Sequence, residues 1–340
     1  MNQLAIETSC DDTCAAVLTD GRLISSVISS QTNLHQQWGG VVPDIAKRAH
    51  QQNIDPVVQT ALKRAHLKLS DIDYLAVTQG PGLAIALSVG VNYAKDLALK
   101  LNKPLIAVNH IEGHLLSPFI TNRSGNPVRQ FQFPLLSLTV SGGHTKIILT
   151  QSLGDYQIIG QTLDDAAGES LDKAAKLLGL GYPGGPIIEV LSRLGNPNFL
   201  KLPQPLNNKS ILNFSFSGLK TAFYYQIKKM SPEYILAHQA DLAASFQQSV
   251  FSSLTTKFGL AISKYSPVLL SASGGVLANK ALRAQLRSLA KKHHLPIYFP
   301  SKLAHNTDNA AMIGLVAHHK FLRHQFANPL LLDRDPRLQL

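Results

Sequence analysis

Cysteine is nearly absent: the chain has two in 340 residues, Cys10 and Cys14. Close together around a polar turn, they make neither a disulfide framework nor a zinc ribbon. They read as two small, semi-buried residues in a reducing compartment. Long apolar runs are missing too. The most apolar stretch, Leu83 to Leu101, is interrupted by Asn92, Lys95 and Asp96, which suits a buried helix and not a membrane span. The start, Met1-Asn2-Gln3-Leu4-Ala5-Ile6-Glu7, lacks the basic region of a secretory leader and meets an acid early, so a cytoplasmic protein without membrane contact is expected. Acid is scarce: 21 Asp and Glu face 32 Lys and Arg, a net charge of +11. That excess suits a polyanionic partner such as RNA or DNA without identifying one. Candidate phosphate contacts are Lys47, Arg48, Lys220, Lys228, Lys229 and Arg283.

Apolar residues make up 45%, so a folded core is expected, and the length suffices for two lobes. Strand patterns at Leu4 to Ile6, Ala15 to Leu18 and Leu23 to Ile28, with an Asp20-Gly21 turn between the last two, predict an antiparallel meander. A helix from Pro43, a strand at Tyr74 to Thr78, a helix over Leu83 to Leu101 and a strand at Leu105 to Val108 follow. The pattern then restarts. Strands at Leu135 to Val140, Lys146 to Thr150 and Tyr156 to Ile159 are followed by helices and a strand at Val268 to Ser271. A helix over Leu277 to Lys292, a strand at Ile297 to Phe299 and a helix from about Thr307 to Arg323 close the chain. Two lobes, each a meander continued by alternating strands and helices, predict an α/β fold of mixed sheets covered by helices. The polar or Gly-rich turns Ser9 to Thr13, Ser141 to Thr145 and Ser273 to Val276 are expected to face the ligand.

In His110-Ile111-Glu112-Gly113-His114 the two histidines are spaced to lie on one face of a helix. With Asp308 from His305-Asn306-Thr307-Asp308-Asn309 they would supply two imidazoles and one carboxylate to a divalent ion, leaving positions open for a ligand. A zincin protease would need His-Glu-x-x-His. Here Glu112 sits one position too late, rotated by about 100° round the helix.

Ten stretches resemble, in order, the tRNA threonylcarbamoyltransferase family, bacterial TsaD. They are I-E-T-S-C-D-D-T from Ile6, G-G-V-V-P from Gly39, G-P-G-L from Gly80, N-H-I-E-G-H from Asn109 and V-S-G-G-H-T from Val140. They continue with D-D-A-A-G-E-S-L-D-K from Asp164, Y-P-G-G-P from Tyr182, F-S-F-S-G-L-K-T-A from Phe214, S-G-G-V-L-A-N from Ser273 and T-D-N-A-A-M-I from Thr307. The resemblance implies a two-lobed ASKHA (actin, hexokinase and Hsp70-like) fold. It implies transfer of a threonylcarbamoyl group from threonylcarbamoyl-AMP to the N6 amine of adenosine 37, in tRNAs reading codons that begin with A. It assigns His110, His114 and Asp308 to one divalent metal, iron(II) preferred and zinc(II) the alternative. It places Thr139, Val140, Ser141, Gly142, Gly143, Asp172, Gly185 and Asn279 at the adenylate ligand, with His144 and Thr145 beside them and Ser9, Asp11 and Asp12 facing the same cleft. Asp11 is the candidate general base, a short acid on the ligand-facing turn. The expected partners are tRNA, a TsaB-like pseudo-paralogue, a TsaE-like ATPase and a TsaC-like enzyme that makes the adenylate. The expected domains are a first lobe of residues 1–108 with 306–327, a second lobe of 109–305 with inserted helices, and a basic tail, 328–340. Asn306 and Ser273 stand where bacterial relatives often carry Cys and Ala.

Overall fold

The computed structural model describes residues 1–206, 208 and 210–340. The chain divides into unit 1, Met1–Phe131 with Pro300–Leu340, and unit 2, Gln132–Phe299.

Unit 1 opens with the expected meander: β1 (Asn2–Glu7), β2 (Asp12–Thr19) and β3 (Arg22–Ser30), paired antiparallel. Asp20 and Gly21 both have positive φ, 48° and 74°, the backbone that a tight two-residue hairpin turn requires. After α1 (Thr32–Gln36), α2 (Pro43–Ala65) starts with proline in its first turn, where the missing N–H costs nothing. Then come β4 (Tyr74–Gly80), α3 (Ala84–Leu101), β5 (Leu105–Asn109) and the short α4 (His110–Leu116). β4 pairs parallel with β1, and β5 with β4, giving the order β3-β2-β1-β4-β5. Leu4, Ile6, Ala15 and Val17 meet Ile54, Val57, Val58 and Ala61 of α2 and Val91 and Ala94 of α3 in one buried core. The helix Ala310–Leu322 packs on this sheet too. A Cβ on its Gly314 would come within 2.3 Å of Leu18, and the Gly314 carbonyl accepts from Gln3 Nε2 at 2.7 Å.

Unit 2 repeats the plan. β6 (Leu135–Val140), β7 (Thr145–Ser152) and β8 (Asp155–Gln161) form an antiparallel meander. The helices α5 (Ala167–Leu177), α6 (Gly184–Ser192), α7 (Ser217–Ile227), α8 (Pro232–Ala237) and α9 (Gln239–Tyr265) follow. β9 (Leu269–Ser273) then pairs parallel with β6, and after α10 (Lys280–Lys292) the short β10 (Ile297–Tyr298) pairs parallel with β9. The order β10-β9-β6-β7-β8 is that of unit 1 read from the other edge. The helix Ala310–Leu322 is α11 in chain order.

Some boundaries differ from the expected ones. The helix expected from Leu277 starts at Lys280, after a 3-10 turn over Gly275–Ala278, because Asn279 is extended and caps it. The helix expected from Thr307 starts at Ala310, capped by Asn309. Residues 109–131 belong to unit 1 and not to the second lobe. The tail 328–340 is not basic. Its Arg334 and Arg337 are matched by Asp333 and Asp335. Leu332 is buried in the unit 1 core, and the Asp335 N–H donates to the Gln79 carbonyl at 2.8 Å.

Candidate metal centre

Asn109 ends β5 and caps α4: its Oδ1 accepts from the N–H groups of Ile111 at 2.8 Å and Glu112 at 3.4 Å. The cap starts the helix at His110, so His110 and His114 project from one face, ring centroids 4.7 Å apart. Gly113 lets α4 lie close on α11, since a Cβ there would meet Met312 at 3.0 Å and Ile313 at 3.1 Å. Asp308 precedes the Asn309 cap of α11. Its Oδ1 lies 3.1 Å from His114 Nε2 and 3.5 Å from His110 Nε2. One ligand atom from each of the three residues falls within 4.8 Å of the others, a set that could hold one metal ion.

The surroundings of His110 fit that role. Its Nδ1 lies 3.2 Å from Glu7 Oε2 and 3.1 Å from Ser9 Oγ, so Nδ1–H donates to the carboxylate and Nε2 is left toward Asp308. A carboxylate behind a ligating imidazole fixes its tautomer and raises its basicity. Burial disfavours charge on His110, but Asp308 and Glu7 outweigh it and hold its pKa up to about 9. Burial pushes His114 down despite Asp308. Burial by itself would raise Glu7, yet His110 holds it below the usual carboxylate range. Glu7 also accepts from the Ser9 N–H and from Thr78 Oγ1. Glu7 sits in the I-E-T-S-C-D-D-T stretch, and an acid at the end of an apolar strand was the signal for a buried partner.

The turn after β1 carries more acid. Burial raises Asp11, and it pushes Asp12 up to about 7, with Asp308, Asp11 and Glu7 adding to the rise in Asp12. Asp12 Oδ1 is buried without a hydrogen-bond partner. His50, which the sequence did not mark, anchors this turn: Nε2 donates to the Cys10 carbonyl at 3.0 Å, so Nδ1 accepts from Thr13 Oγ1 at 2.8 Å. Cys10 and Cys14 are free thiols, as expected.

The residues expected at the adenylate all lie in unit 2: Thr139 and Val140 end β6, Ser141, Gly142 and Gly143 follow it, Asp172 is in α5, Gly185 in α6, and Asn279 comes between β9 and α10. Ser141 closes the turn after β6, its N–H on the His144 carbonyl at 2.8 Å and its Oγ accepting from the His144 N–H at 3.1 Å. A Cβ on Gly142 or Gly143 would meet nothing within 4 Å, so both backbones lie open. Thr139 Oγ1 is buried and unpartnered, whereas the Val140 side chain belongs to the core. Asp172 Oδ1 accepts from Gly184 N–H at 2.8 Å and Gly185 N–H at 3.0 Å, capping α6. Asn279 caps α10 through Oδ1, accepting from Ala281 at 2.9 Å, and donates from Nδ2 to Gln247 at 2.7 Å. Asp172 and Asn279 thus hold the backbone of this region in place.

Glu112 ion-pairs with Lys320 at 3.5 Å, unlike the glutamate of a zincin. Of the basic candidates, Lys220 pairs with Asp165 at 2.8 Å, and Arg283 donates to the Leu277 carbonyl and stands 5.2 Å over the Phe299 ring. Among the described residues no helix is long and apolar enough to cross a membrane.

Residues 22–315 match the family described as TsaD: tRNA N6-adenosine threonylcarbamoyltransferase. A protein of that name from Kosmotoga olearia is 48% identical over 340 residues, covering 100% of this chain and 99% of its own length. One from Moorella thermoacetica is 47% identical over 343 residues, covering 100% of this chain and 97% of its own. Among solved structures, T. kodakarensis HypF superposes with a TM-score of 0.63 at 13% identity, over 95% of this chain and 48% of that one. Component A of the Acidaminococcus fermentans (R)-2-hydroxyglutaryl-CoA dehydratase gives 0.54 at 16% identity, over 94% and 98%. These structural likenesses speak to the fold alone, the two-lobed α/β architecture of the ASKHA type.

Proposed function

The chain belongs to the tRNA N6-adenosine threonylcarbamoyltransferase family, and from that premise we propose that it transfers the threonylcarbamoyl group of threonylcarbamoyl-AMP to the N6 amine of adenosine 37, in tRNAs reading codons that begin with A, releasing AMP. The observation that carries this is the match to named transferases over the full chain, 48% identical to the Kosmotoga olearia protein. The donor is a mixed carboxylic-phosphoric anhydride. The amine attacks its carbonyl carbon, a C–N bond forms, the C–O bond to the phosphate breaks, and the amine gives up a proton. The protein has to orient two substrates, stabilise charge on the departing phosphate and accept that proton.

His110, His114 and Asp308 would hold one divalent ion, iron(II) preferred and zinc(II) the alternative. Such an ion supplies positive charge and open coordination positions for oxygen ligands. Glu7 and Ser9 keep His110 in the ligating tautomer. Gly142 and Gly143 let backbone N–H groups approach ligand oxygens without a Cβ clash. Thr139, Val140, Ser141, Asp172, Gly185 and Asn279 complete the adenylate-binding set: Val140 through its backbone, Asp172 and Asn279 by fixing the loops. Asp11 accepts the amine proton. Asp12 is the second reading for that role, favoured by its unpartnered Oδ1 and a pKa near neutrality. The protein acts in the cytoplasm with a TsaB-like pseudo-paralogue and a TsaE-like ATPase, and turns over little alone.

Mass spectrometry of tRNA nucleosides tests the function, in cells that depend on this chain for the modification. Loss of threonylcarbamoyladenosine on depletion and its return with the wild-type chain are expected; an unchanged nucleoside would refute the reading. Asp11→Asn should lower the transfer rate without weakening tRNA binding. If Asp12→Asn does so instead, the base is Asp12.

A further inference from the structure

Helix α7 buries one face and leaves the other uncommitted. Leu219, Phe223 and Ile227, spaced four apart, are buried, and the Phe223 ring packs on Phe246 of α9 with centroids 4.8 Å apart. On the outward side lie Thr221, Tyr224, Tyr225 and Lys228, again at helical spacing, followed by Lys229. Tyr225 is 58% exposed and Tyr224 42%, large values for aromatic rings on a folded helix. The two rings stand 5.4 Å apart at 64°, and Lys228 Nζ lies 6.0 Å from the Tyr224 ring centre. From Ser217 to Met230 the sequence has three lysines and no acid. Lys220 is taken by Asp165, but among the described residues no carboxylate pairs with Lys228 or Lys229. Lysines suit a helix C-terminus on electrostatic grounds alone; two adjacent exposed tyrosines are not explained that way.

We propose that the outward face of α7 is an RNA contact surface, on which Tyr224 and Tyr225 stack against unpaired bases while Lys228 and Lys229 neutralise the flanking phosphates. The proposal rests on tRNA being the substrate and adds where unit 2 touches it. The chemistry matches. Unstacked loop bases offer π-faces to aromatic side chains whatever their identity, and phosphates on either side call for unpaired cations. The tyrosines lie beyond the F-S-F-S-G-L-K-T-A stretch, outside the motifs that carried the family resemblance.

The test is binding of the full-length chain to an unmodified tRNA transcript, by fluorescence anisotropy over a range of salt. Tyr224→Ala with Tyr225→Ala should weaken binding by about tenfold or more and leave the salt dependence unchanged. Tyr224→Phe with Tyr225→Phe keeps the stacking faces and should stay within about twofold of the parent. Lys228→Ala with Lys229→Ala should weaken binding and make the log-log salt slope shallower by about one to two. All these side chains are exposed, and an unchanged melting temperature confirms that each variant folds. Alanine variants of the tyrosines that bind within about twofold of the parent overturn the proposal, including the case where they lose a protein partner instead. A wild-type chain that modifies tRNA while those variants keep full affinity refutes the surface alone. A wild-type chain that neither binds nor modifies tRNA refutes the functional reading and the surface with it.

Discussion

In unit 1 the first strand ends on Glu7, the turn beyond it carries Asp11, and β2 opens on Asp12; in unit 2 the first strand ends on Val140, and its turn carries Gly142, Gly143 and no acid. The strand order and sense around the two turns are the same. The sheet plan therefore fixes where a turn stands but not its electrostatics. Unit 1 crowds carboxylates against two imidazoles, an arrangement suited to a cation. Unit 2 offers open backbone and a buried threonine hydroxyl, suited to a neutral or anionic ligand. One scaffold supports both because the strands are held by apolar core residues, which leaves the residues at their ends free to differ.

The largest expected effect breaks the unit 1 side. His114→Ala or Asp308→Ala should lose bound metal by elemental analysis and lower transferase activity by about 100-fold or more. Full metal occupancy in Asp308→Ala would remove Asp308 from the ligand set. Glu7→Gln should weaken metal binding by about 10- to 100-fold, since a neutral amide supports His110 less well than a carboxylate. Equal metal affinity in that variant would show that Ser9 alone orients the ring.

A pH experiment sharpens the contrast. Burial raises Asp12 to about 7 from an ordinary 3.8, so the metal-free folded chain takes up a proton there well before the unfolded chain does. Its contribution to stability therefore improves as pH falls from about 7 toward 3.8. In unit 2, burial works against Asp165, but Lys173 and Lys220 hold its pKa down, so its stabilisation is present above 3.8 and is lost as pH falls through the lowered value. Asp12→Asn should thus stabilise the metal-free protein at pH near 8, by at most about 4 kcal/mol, and much less at pH near 4. Asp165→Asn should destabilise it at the higher pH. Denaturant melts at the two pH values check both signs; destabilisation by Asp12→Asn at the higher pH would contradict the burial argument.

The smallest effect separates two glycines of unit 2. Gly274 has φ 98°, and a Cβ there would lie 2.3 Å from the Val140 carbonyl oxygen, so Gly274→Ala should cost about 1–3 kcal/mol of stability. Gly142 has open space, so Gly142→Ala should barely change the melting temperature while weakening adenylate binding in calorimetry. Undiminished adenylate binding in Gly142→Ala would remove that turn from the ligand site.

Local chemistry made much of this readable in the sequence. Asp20-Gly21 announced its hairpin, Pro43 its helix start, and the spacing of His110 and His114 their shared face. What escaped was set by distant partners. Glu7 gains its role from His110, and His50 from Cys10 and Thr13; an acid ending an apolar strand signals that a buried partner exists, but no local pattern names it. Asn279 looked like a ligand contact, yet it also caps a helix and binds Gln247, and only the fold reveals those commitments. The tail was expected to be basic because two arginines stood out, while Asp333 and Asp335 match them, and Leu332 and the Asp335 backbone tie it to unit 1.

Unit 1 is interrupted in the chain: His110 and His114 precede the whole of unit 2, and Asp308 follows it. On the ribosome, residues 132–299 therefore emerge ahead of Asp308, the third member of the candidate ligand set. Until then α4 lacks the α11 surface that Gly113 packs against, and the Asn109 side chain lacks the Gln339 carbonyl, to which its Nδ2 donates at 2.9 Å. Assembly of the candidate metal centre thereby waits for the segment that follows unit 2, and a polypeptide stalled inside unit 2 carries the two histidines without the carboxylate that completes the set.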